Sequence, residues 1–159
     1  MLKFMLTSPH AKAPVVLDNQ SPGVELFATE PMLIEPGQQV KVNTHVVFEF
    51  PTGKIGLVMD KSSVVTQQHL KVQGGVIDPG YRGDVIVILH NFGKEVMCID
   101  RGYPVAQMLL ISCLAPILQH VEHISTDTFR GEKGFGEVTL SVLGSKVEAT
   151  NTSSEKSCV

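Results

Sequence analysis

The stretch from residue 74 to residue 83 reads GGVIDPGYRG and lies between two runs of apolar residues. Four glycines and one proline in so short a stretch predict a tight turn whose backbone N–H and C=O groups closely approach a partner. The same stretch holds one carboxylate, Asp78, and one aromatic side chain, Tyr81. Taken alone, this segment is more simply interpreted as a hairpin with a surface aspartate. A functional role for it depends on what the rest of the chain contains.

The segments around this turn have the residue pattern of an all-β protein. Short runs rich in valine and isoleucine alternate with Gly, Pro, Asn and Asp, which is typical of strands joined by turns. Residues 84–91 read DVIVILHN and are nearly all apolar, so we expect a strand buried on both faces. Further strands are predicted over residues 40–44, 46–50, 54–59, 95–100 and 105–111, and a short helix or turn over 64–70.

Length and composition limit the classes of function. A chain of 159 residues with 43% hydrophobic and 18% charged residues is one globular domain with its own core. The net charge of -3 and the absence of Trp argue against a nucleic-acid-binding protein. No segment approaches the ~20 apolar residues of a membrane span, so we expect no membrane partner and an intracellular location.

Three cysteines lie far apart, and no C-x-x-C spacing occurs. This excludes a disulfide scaffold and a zinc-thiolate site as the leading interpretations. We expect Cys98 and Cys113 to be buried strand thiols and Cys158 to lie in a tail. Residues 144–159 are rich in Ser, Thr, Lys and Glu, which predicts a disordered tail after a domain formed by residues 1–143.

Three other segments carry groups suited to phosphate. Lys61, Ser62 and Ser63 follow a predicted strand, although a helix cap would use the same residues. Gln107 is a polar residue inside an apolar strand, where it could also face solvent. Residues 130–136 read RGEKGFG, a glycine-rich arm that fits neither the P-loop nor the dinucleotide-binding spacing. Together with the 74–83 turn, these segments predict a site for a flat base attached to phosphates.

In this order, the segments resemble the five motifs of the trimeric dUTP pyrophosphatase (dUTPase) family over residues 2–141. The 75–83 stretch is the strongest match, and residues 21–26, 60–63, 102–107 and 130–136 occupy the other four motifs. The resemblance implies an all-β, jelly-roll or β-barrel subunit of the β-clip type. It also implies a flexible C-terminal arm over residues 127–143, which carries the fifth motif.

The resemblance further implies an enzyme that converts dUTP to dUMP and pyrophosphate. Asp78 would activate water for attack on the α-phosphorus, and Mg²⁺ would be held by the triphosphate and water rather than directly by protein ligands. The family assembles as a homotrimer whose sites lie between subunits. We therefore expect a homotrimer with dUTP as its substrate.

The remaining site residues follow from the same motifs. Backbone groups of the 74–77 turn would read uracil, Tyr81 would pack on the deoxyribose, and the arm would close over the base. The implied uracil-reading and base-covering residues are Gly74, Gly75, Val76, Ile77, Phe135 and Gly136. The implied phosphate-binding residues are Lys61, Ser62, Ser63, Gln107 and Arg130.

The chain departs from the family pattern where phosphate is held. Lys61 replaces an arginine, Glu25 replaces an aspartate, and Glu137 replaces a serine. The alternative is therefore a catalytically inactive protein of this fold that acts through protein contacts. Its C-terminal residues Ser157, Cys158 and Val159 resemble the end of a ligand for a PDZ domain.

Overall fold

The computed structural model describes residues 1–132, and the chain divides into a unit formed by Met1–Pro116 and a second unit that begins at Ile117. Within the described residues, every strand and the helix belong to the first unit. The bounds are β1 Lys3–Leu6, β2 Val15–Val16, β3 Gly23–Phe27, β4 Met32–Ile34, β5 Gln39–Asn43, β6 Val46–Glu49, β7 Lys54–Met59, α1 Ser62–Gln68, β8 Leu70–Gln73, β9 Val76–Ile77, β10 Ile86–Asn91, β11 Met97–Ile99 and β12 Pro104–Ser112.

The strands form antiparallel sheets, which confirms the all-β prediction. The largest sheet has the order β2-β3-β12-β7-β9, and a second sheet has the order β5-β10-β8. Two further pairs, β1-β6 and β11-β4, complete the set found in residues 1–132. The predicted domain limit at residue 143 lies outside the described residues and stays a prediction.

The core is built from the inward faces of these sheets. Its largest fully buried side chains include Leu26, Ile34, Leu89, Ile99 and Met108. They come from five different strands, so the sheets bury a common apolar interior.

Two expectations about burial are wrong. Strand β10 buries alternate residues and leaves Ile86 and Ile88 partly exposed, because an antiparallel strand turns only one face to the core. Cys98 and Cys113 are exposed free thiols. Cys98 alternates with the buried Ile99 in β11, and Cys113 lies one residue beyond the end of β12.

The helix predicted near residues 64–70 forms as α1 and buries Val64. It ends at Gln68, and the capping residue His69 has a left-handed backbone with φ 51°. In the part of the chain that is described, no helix is both long enough and apolar enough to cross a membrane.

Asn91 is a fully buried polar residue that joins three segments. Its side-chain amide donates to the carbonyl oxygens of Ile34 and Glu95, each at 2.8 Å. Its Oδ1 accepts a hydrogen bond from the N–H of Gly93 at 2.9 Å. These bonds fix the turn between β10 and β11, since each satisfies a backbone group next to a strand end.

Removing this side chain tests its contribution to the fold. We expect Asn91→Ala to lower the free energy of unfolding by about 3 kcal/mol, because it leaves buried polar groups without partners. Urea unfolding followed by circular dichroism measures the change. Asn19→Ala, at an exposed position, serves as the control and should change stability little. Equal stability of the two variants would contradict the role given to Asn91.

Candidate active site

The two glycines at the start of the 74–83 turn are required for different reasons, a close backbone approach at Gly75 and a positive φ at Gly74. The N–H of Val58 donates to the carbonyl oxygen of Gly75 at 2.7 Å. A Cβ atom added at Gly75 would lie 2.1 Å from the carbonyl oxygen of Val58, so no side chain fits there. Gly74 has φ 61°, a conformation that favours glycine. The turn is therefore held against strand β7 by its own backbone.

Asp78 and Tyr81 line one pocket beside this turn. The pocket has a volume of about 180 Å³, and its lining residues are Val76, Ile77, Asp78, Tyr81 and Ile86. Complete ligand pockets usually measure about 300–1,000 Å³. This pocket therefore has room for only part of a nucleoside triphosphate. A larger cavity of about 560 Å³ near His69 and Phe92 contains none of the predicted site residues.

Gln107 does not simply face solvent. It lies in β12, directly opposite Glu25 of β3 and Met59 of β7. Its side-chain Nε2 donates to the carbonyl oxygen of Asp60 at 2.9 Å, and the residue is partly buried. This contact brings the fourth-motif glutamine beside the segment that carries Lys61 and the two serines.

Lys61 forms an ion pair that the sequence did not reveal. Its Nζ contacts a carboxylate oxygen of Glu25, and the two side chains are only 16% and 9% exposed. The two charges compensate each other inside the sheet. If Lys61 bound phosphate as predicted, it would have to share its charge with a buried carboxylate or leave it unpaired.

Asp60 is a structural residue of the same segment. Its Oδ1 accepts the N–H of Val72 at 2.5 Å, and its Oδ2 lies 3.8 Å from Nζ of Lys71. Its negative charge is thus used to hold the end of β7 against β8. This bond has no signal in the sequence, because Asp60 and Val72 are brought together only by the path of the chain around α1.

Ser62 and Ser63 are the first two residues of α1. Ser62 is exposed and Ser63 is partly buried. The carbonyl oxygen of Ser62 accepts the hydroxyl of Thr66 at 2.8 Å, which steadies the first turn of the helix. The structure therefore groups Lys61, Ser62, Ser63 and Gln107 at one end of β7.

The register of β7 and β9 separates this group from Asp78. Ile77 pairs with Gly56, and Val76 pairs with Leu57. Gly56 and Met59 are about 10 Å apart along β7, and Asp78 and Asp60 continue the chain beyond these pairs toward opposite ends. A single chain therefore does not bring Asp78, the predicted general base, close to the serines that are predicted to bind phosphate.

The remaining predicted residues belong to the C-terminal segment. Arg130 is exposed and lies in the second unit. Phe135 and Gly136 lie outside the described residues, as do Glu137 and the C-terminal Ser157–Val159. Among residues 1–132, no three His, Cys, Asp or Glu side chains come together as a metal site.

Comparison with known proteins identifies the family. A family model described as dUTPase matches residues 10–139. The chain belongs to the dUTPase family. The motif resemblance is thereby confirmed, and the matched range includes Asp78, Tyr81, Gln107 and the 130–136 arm.

Curated dUTPase relatives resemble the chain over most of its length. The deoxyuridine 5'-triphosphate nucleotidohydrolase of Fowl adenovirus A serotype 1 is 34% identical over 142 residues, which cover 89% of this chain and 79% of that protein. The enzyme of the same name from Mus musculus is 36% identical over 135 residues, covering 85% of this chain and 83% of that protein.

Solved dUTPase structures confirm the jelly-roll fold class. The dUTPase of Staphylococcus bacteriophage 80alpha, solved with dUPNHPP, superposes with a TM-score of 0.80 at 26% sequence identity. The match covers 86% of this chain and 96% of that chain. The described sheets are thus those of a dUTPase subunit.

The Glu25–Lys61 pair can be tested by removing its members singly and together. We expect Lys61→Met to lower the free energy of unfolding by about 3–5 kcal/mol, because it leaves the Glu25 carboxylate buried without a partner. The double variant Glu25→Met with Lys61→Met should lose much less, since it removes both charges. Urea denaturation of the single and double variants measures this coupling.

If the losses of the two single variants simply add in the double variant, the pair does not exist in solution. Lys71→Met is a matched control, because this lysine is exposed and 3.8 Å from its carboxylate. It should change stability by less than about 1 kcal/mol.

Proposed function

We propose that this dUTPase-family protein hydrolyses dUTP to dUMP and pyrophosphate, with Asp78 as the group that activates water. The assignment of roles is supported by one pocket beside the glycine turn, which both Asp78 and Tyr81 line. The alternative of an inactive interaction protein is not favoured, since the relatives are named as nucleotidohydrolases. The predicted PDZ partner has no support from the relatives.

Asp78 is suited to act as a general base. Its side chain is exposed at the pocket, where a water molecule can reach it. The carboxylate accepts a proton from that water while the water oxygen bonds to the α-phosphorus. The bond from the α-phosphorus to the bridging oxygen breaks, and pyrophosphate leaves with its electron pair. The products are dUMP and pyrophosphate.

The turn at Gly74 and Gly75 is suited to read uracil through backbone groups. Packing alone distinguishes one methyl group by only about 1–3 kcal/mol, so rejecting thymine requires a rigid slot. The bond between Val58 and Gly75 and the pairing of β7 with β9 supply that rigidity. Tyr81 lines the pocket beside this turn together with Asp78, and in this proposal it packs on the sugar.

In this proposal the phosphates are bound by the residues grouped at one end of β7 and by the arm. Ser62 and Ser63 offer hydroxyl donors, Gln107 is bonded to the same segment, and Arg130 contributes a cation from the arm. In this proposal Lys61 balances Glu25 first and contributes to phosphate binding second. Phe135 and Gly136 keep their predicted role of covering the base.

In this proposal Mg²⁺ binds together with the triphosphate, whose oxygens and water would hold it. The carboxylates nearest to the serines, Glu25 and Asp60, already bind Lys61 and the N–H of Val72. Mg²⁺ keeps several waters and readily uses phosphate oxygens, so it needs no protein cage here. The ion would neutralise the charge that develops on the leaving pyrophosphate.

A homotrimer completes the site in this proposal. The distance between Asp78 and the serine group in one chain requires that a neighbouring chain supply one of them. Apolar side chains near the end of β12 and beyond it are available for contacts between chains. Leu114, Ile117, Leu118, Ile124 and Phe129 are between 82% and 100% exposed. An intracellular location is part of the same proposal.

The proposed base is tested by Asp78→Asn. We expect kcat for dUTP to fall by about 10²–10⁴-fold with little change in KM, because the amide binds like the carboxylate but takes no proton. Pyrophosphate release from dUTP, dTTP, dCTP and UTP with Mg²⁺ measures rate and selectivity. Asp100→Asn, at an exposed turn residue, is the control. Wild-type protein without dUTP-selective turnover above the Asp78→Asn background would refute the function.

Sharing of the site between chains is tested by mixing two inactive variants. We expect Asp78→Asn and Ser62→Asp to be inactive alone, the second because its carboxylate repels phosphate. Co-folding equal amounts should restore about a quarter of wild-type activity, since random pairing puts an intact Asp78 opposite an intact Ser62 in that share of sites. No recovery of activity, or light scattering that reports a monomer, would mean that each chain carries a whole site.

A further inference from the structure

Asp84 is the residue at which the loop carrying Asp78 and Tyr81 returns to the sheet. It comes directly before the buried Val85, and β10 begins at Ile86. The loop makes bonds of its own, for example from the N–H of Tyr81 to the carbonyl oxygen of Asp78 at 3.1 Å. It joins the sheets where it leaves β9 and where it ends at Asp84.

The Asp84 carboxylate is bound from three directions. Its Oδ1 accepts the hydroxyl of Thr7 at 2.7 Å. Its Oδ2 accepts the side-chain amide of Asn43 at 3.1 Å and lies 3.0 Å from Nδ1 of His45. These residues come from the end of β1, the end of β5 and the turn before β6. One side chain thus ties the loop to two parts of the fold that are distant from it in sequence, the end of β1 and the connection between β5 and β6.

His45 is held in an unusual conformation at this point. Its backbone has φ 52°, which non-glycine residues rarely adopt. The N–H of His45 donates to Oδ1 of Asn43 at 2.8 Å, and its carbonyl oxygen accepts the N–H of Thr7 at 3.0 Å. The surroundings therefore fix the ring where it meets Asp84, which supports a built contact rather than a chance surface pair.

Asp84 also determines where the ring of Tyr81 lies. The Tyr81 hydroxyl donates to the backbone carbonyl oxygen of Asp84 at 3.0 Å. A Cβ atom added at Gly83 would lie 2.4 Å from that hydroxyl oxygen, so the ring passes directly over the glycine. The aromatic wall of the pocket is thus fixed to the peptide of the anchored residue.

The electrostatics keep this anchor in place at neutral pH. The hydrogen bond from Thr7 is the largest cause that lowers the pKa of Asp84, and Asn43 and His45 add to it while partial burial opposes it. The carboxylate is therefore ionised, and hydrogen bonds to an ionised acceptor are stronger than neutral ones.

We propose that Asp84, held by Thr7, Asn43 and His45, is a positioning residue that sets the selectivity of the pocket for deoxyribose through Tyr81. The proposal rests on the proposed function, in which Tyr81 packs against the sugar. A loosened Asp84 lets the tyrosine ring withdraw, and a sugar with a 2′-hydroxyl group then fits. The outcome is a change in discrimination between dUTP and UTP rather than in the chemical step.

The experiment measures kcat/KM for dUTP and for UTP in the full-length protein. We expect Asp84→Ala to lower the ratio of the dUTP value to the UTP value by about tenfold, chiefly because kcat/KM for UTP rises once its 2′-hydroxyl group fits. Thr7→Val should lower the ratio in the same direction, although Thr7 lies far from Asp78 in the sequence. Thr7→Ser keeps the hydroxyl and should restore the ratio.

The ratio separates positioning from simple loss of folded protein, because a smaller active fraction reduces both rates equally. Asp18→Ala is the matched control, since that carboxylate also binds a loop, through the N–H groups of Gln20 and Ser21. It should leave the ratio unchanged. If Asp84→Ala does not fold, Thr7→Val decides the question alone.

The experiment distinguishes failure of the positioning role of Asp84 from failure of the proposed dUTP hydrolysis. A wild-type protein that does not hydrolyse dUTP would refute the function. A selective wild-type enzyme whose ratio is unchanged by both Asp84→Ala and Thr7→Val would overturn the positioning role alone.

Discussion

The close approach of two backbones at Gly75 and Val58 is the constraint on which the site depends. Val58 is buried in β7, which pairs with β12 on one side and with β9 on the other. The space between Val58 and Gly75 admits no side chain, so the turn is fixed at this point before any ligand binds. From here β9 leads to Asp78, and β12 places Gln107 beside Asp60. One central strand therefore positions both halves of the site.

Charge in and around the site is largely balanced within the protein. Glu25 is paired with Lys61, Asp60 accepts a backbone N–H, and Asp84 is bound by three side chains. A polyanionic substrate is then held by groups other than these carboxylates. This arrangement explains how a chain with a lysine and a glutamate at altered motif positions keeps the fold of the family. The departures at Glu25 and Lys61 meet each other in space.

Most of the strands were predictable because their residues alternate between two environments. The prediction for β7 over residues 54–59 matches Lys54–Met59, and β10 and β12 lie within two residues of their predicted limits. The prediction for Cys98 was wrong because periodicity does not tell which face of a short strand meets the core, and the prediction for Cys113 was wrong because this residue lies beyond the end of β12. The partner of Gln107 was missed for a related reason, since Asp60 is a neighbour only through the pairing of β12 with β7.

The sequence by itself determined the all-β class, the family and the identity of Asp78 and Tyr81 as candidate residues. These depend on local composition and on motifs that are read in order along the chain. Only the tertiary structure decided that Lys61 contacts Glu25, that Asp84 gathers Thr7, Asn43 and His45, and that Asp78 lies apart from Ser62. These contacts join residues that are distant in sequence. They depend on the register of the paired strands, which the residue pattern of each single strand does not reveal.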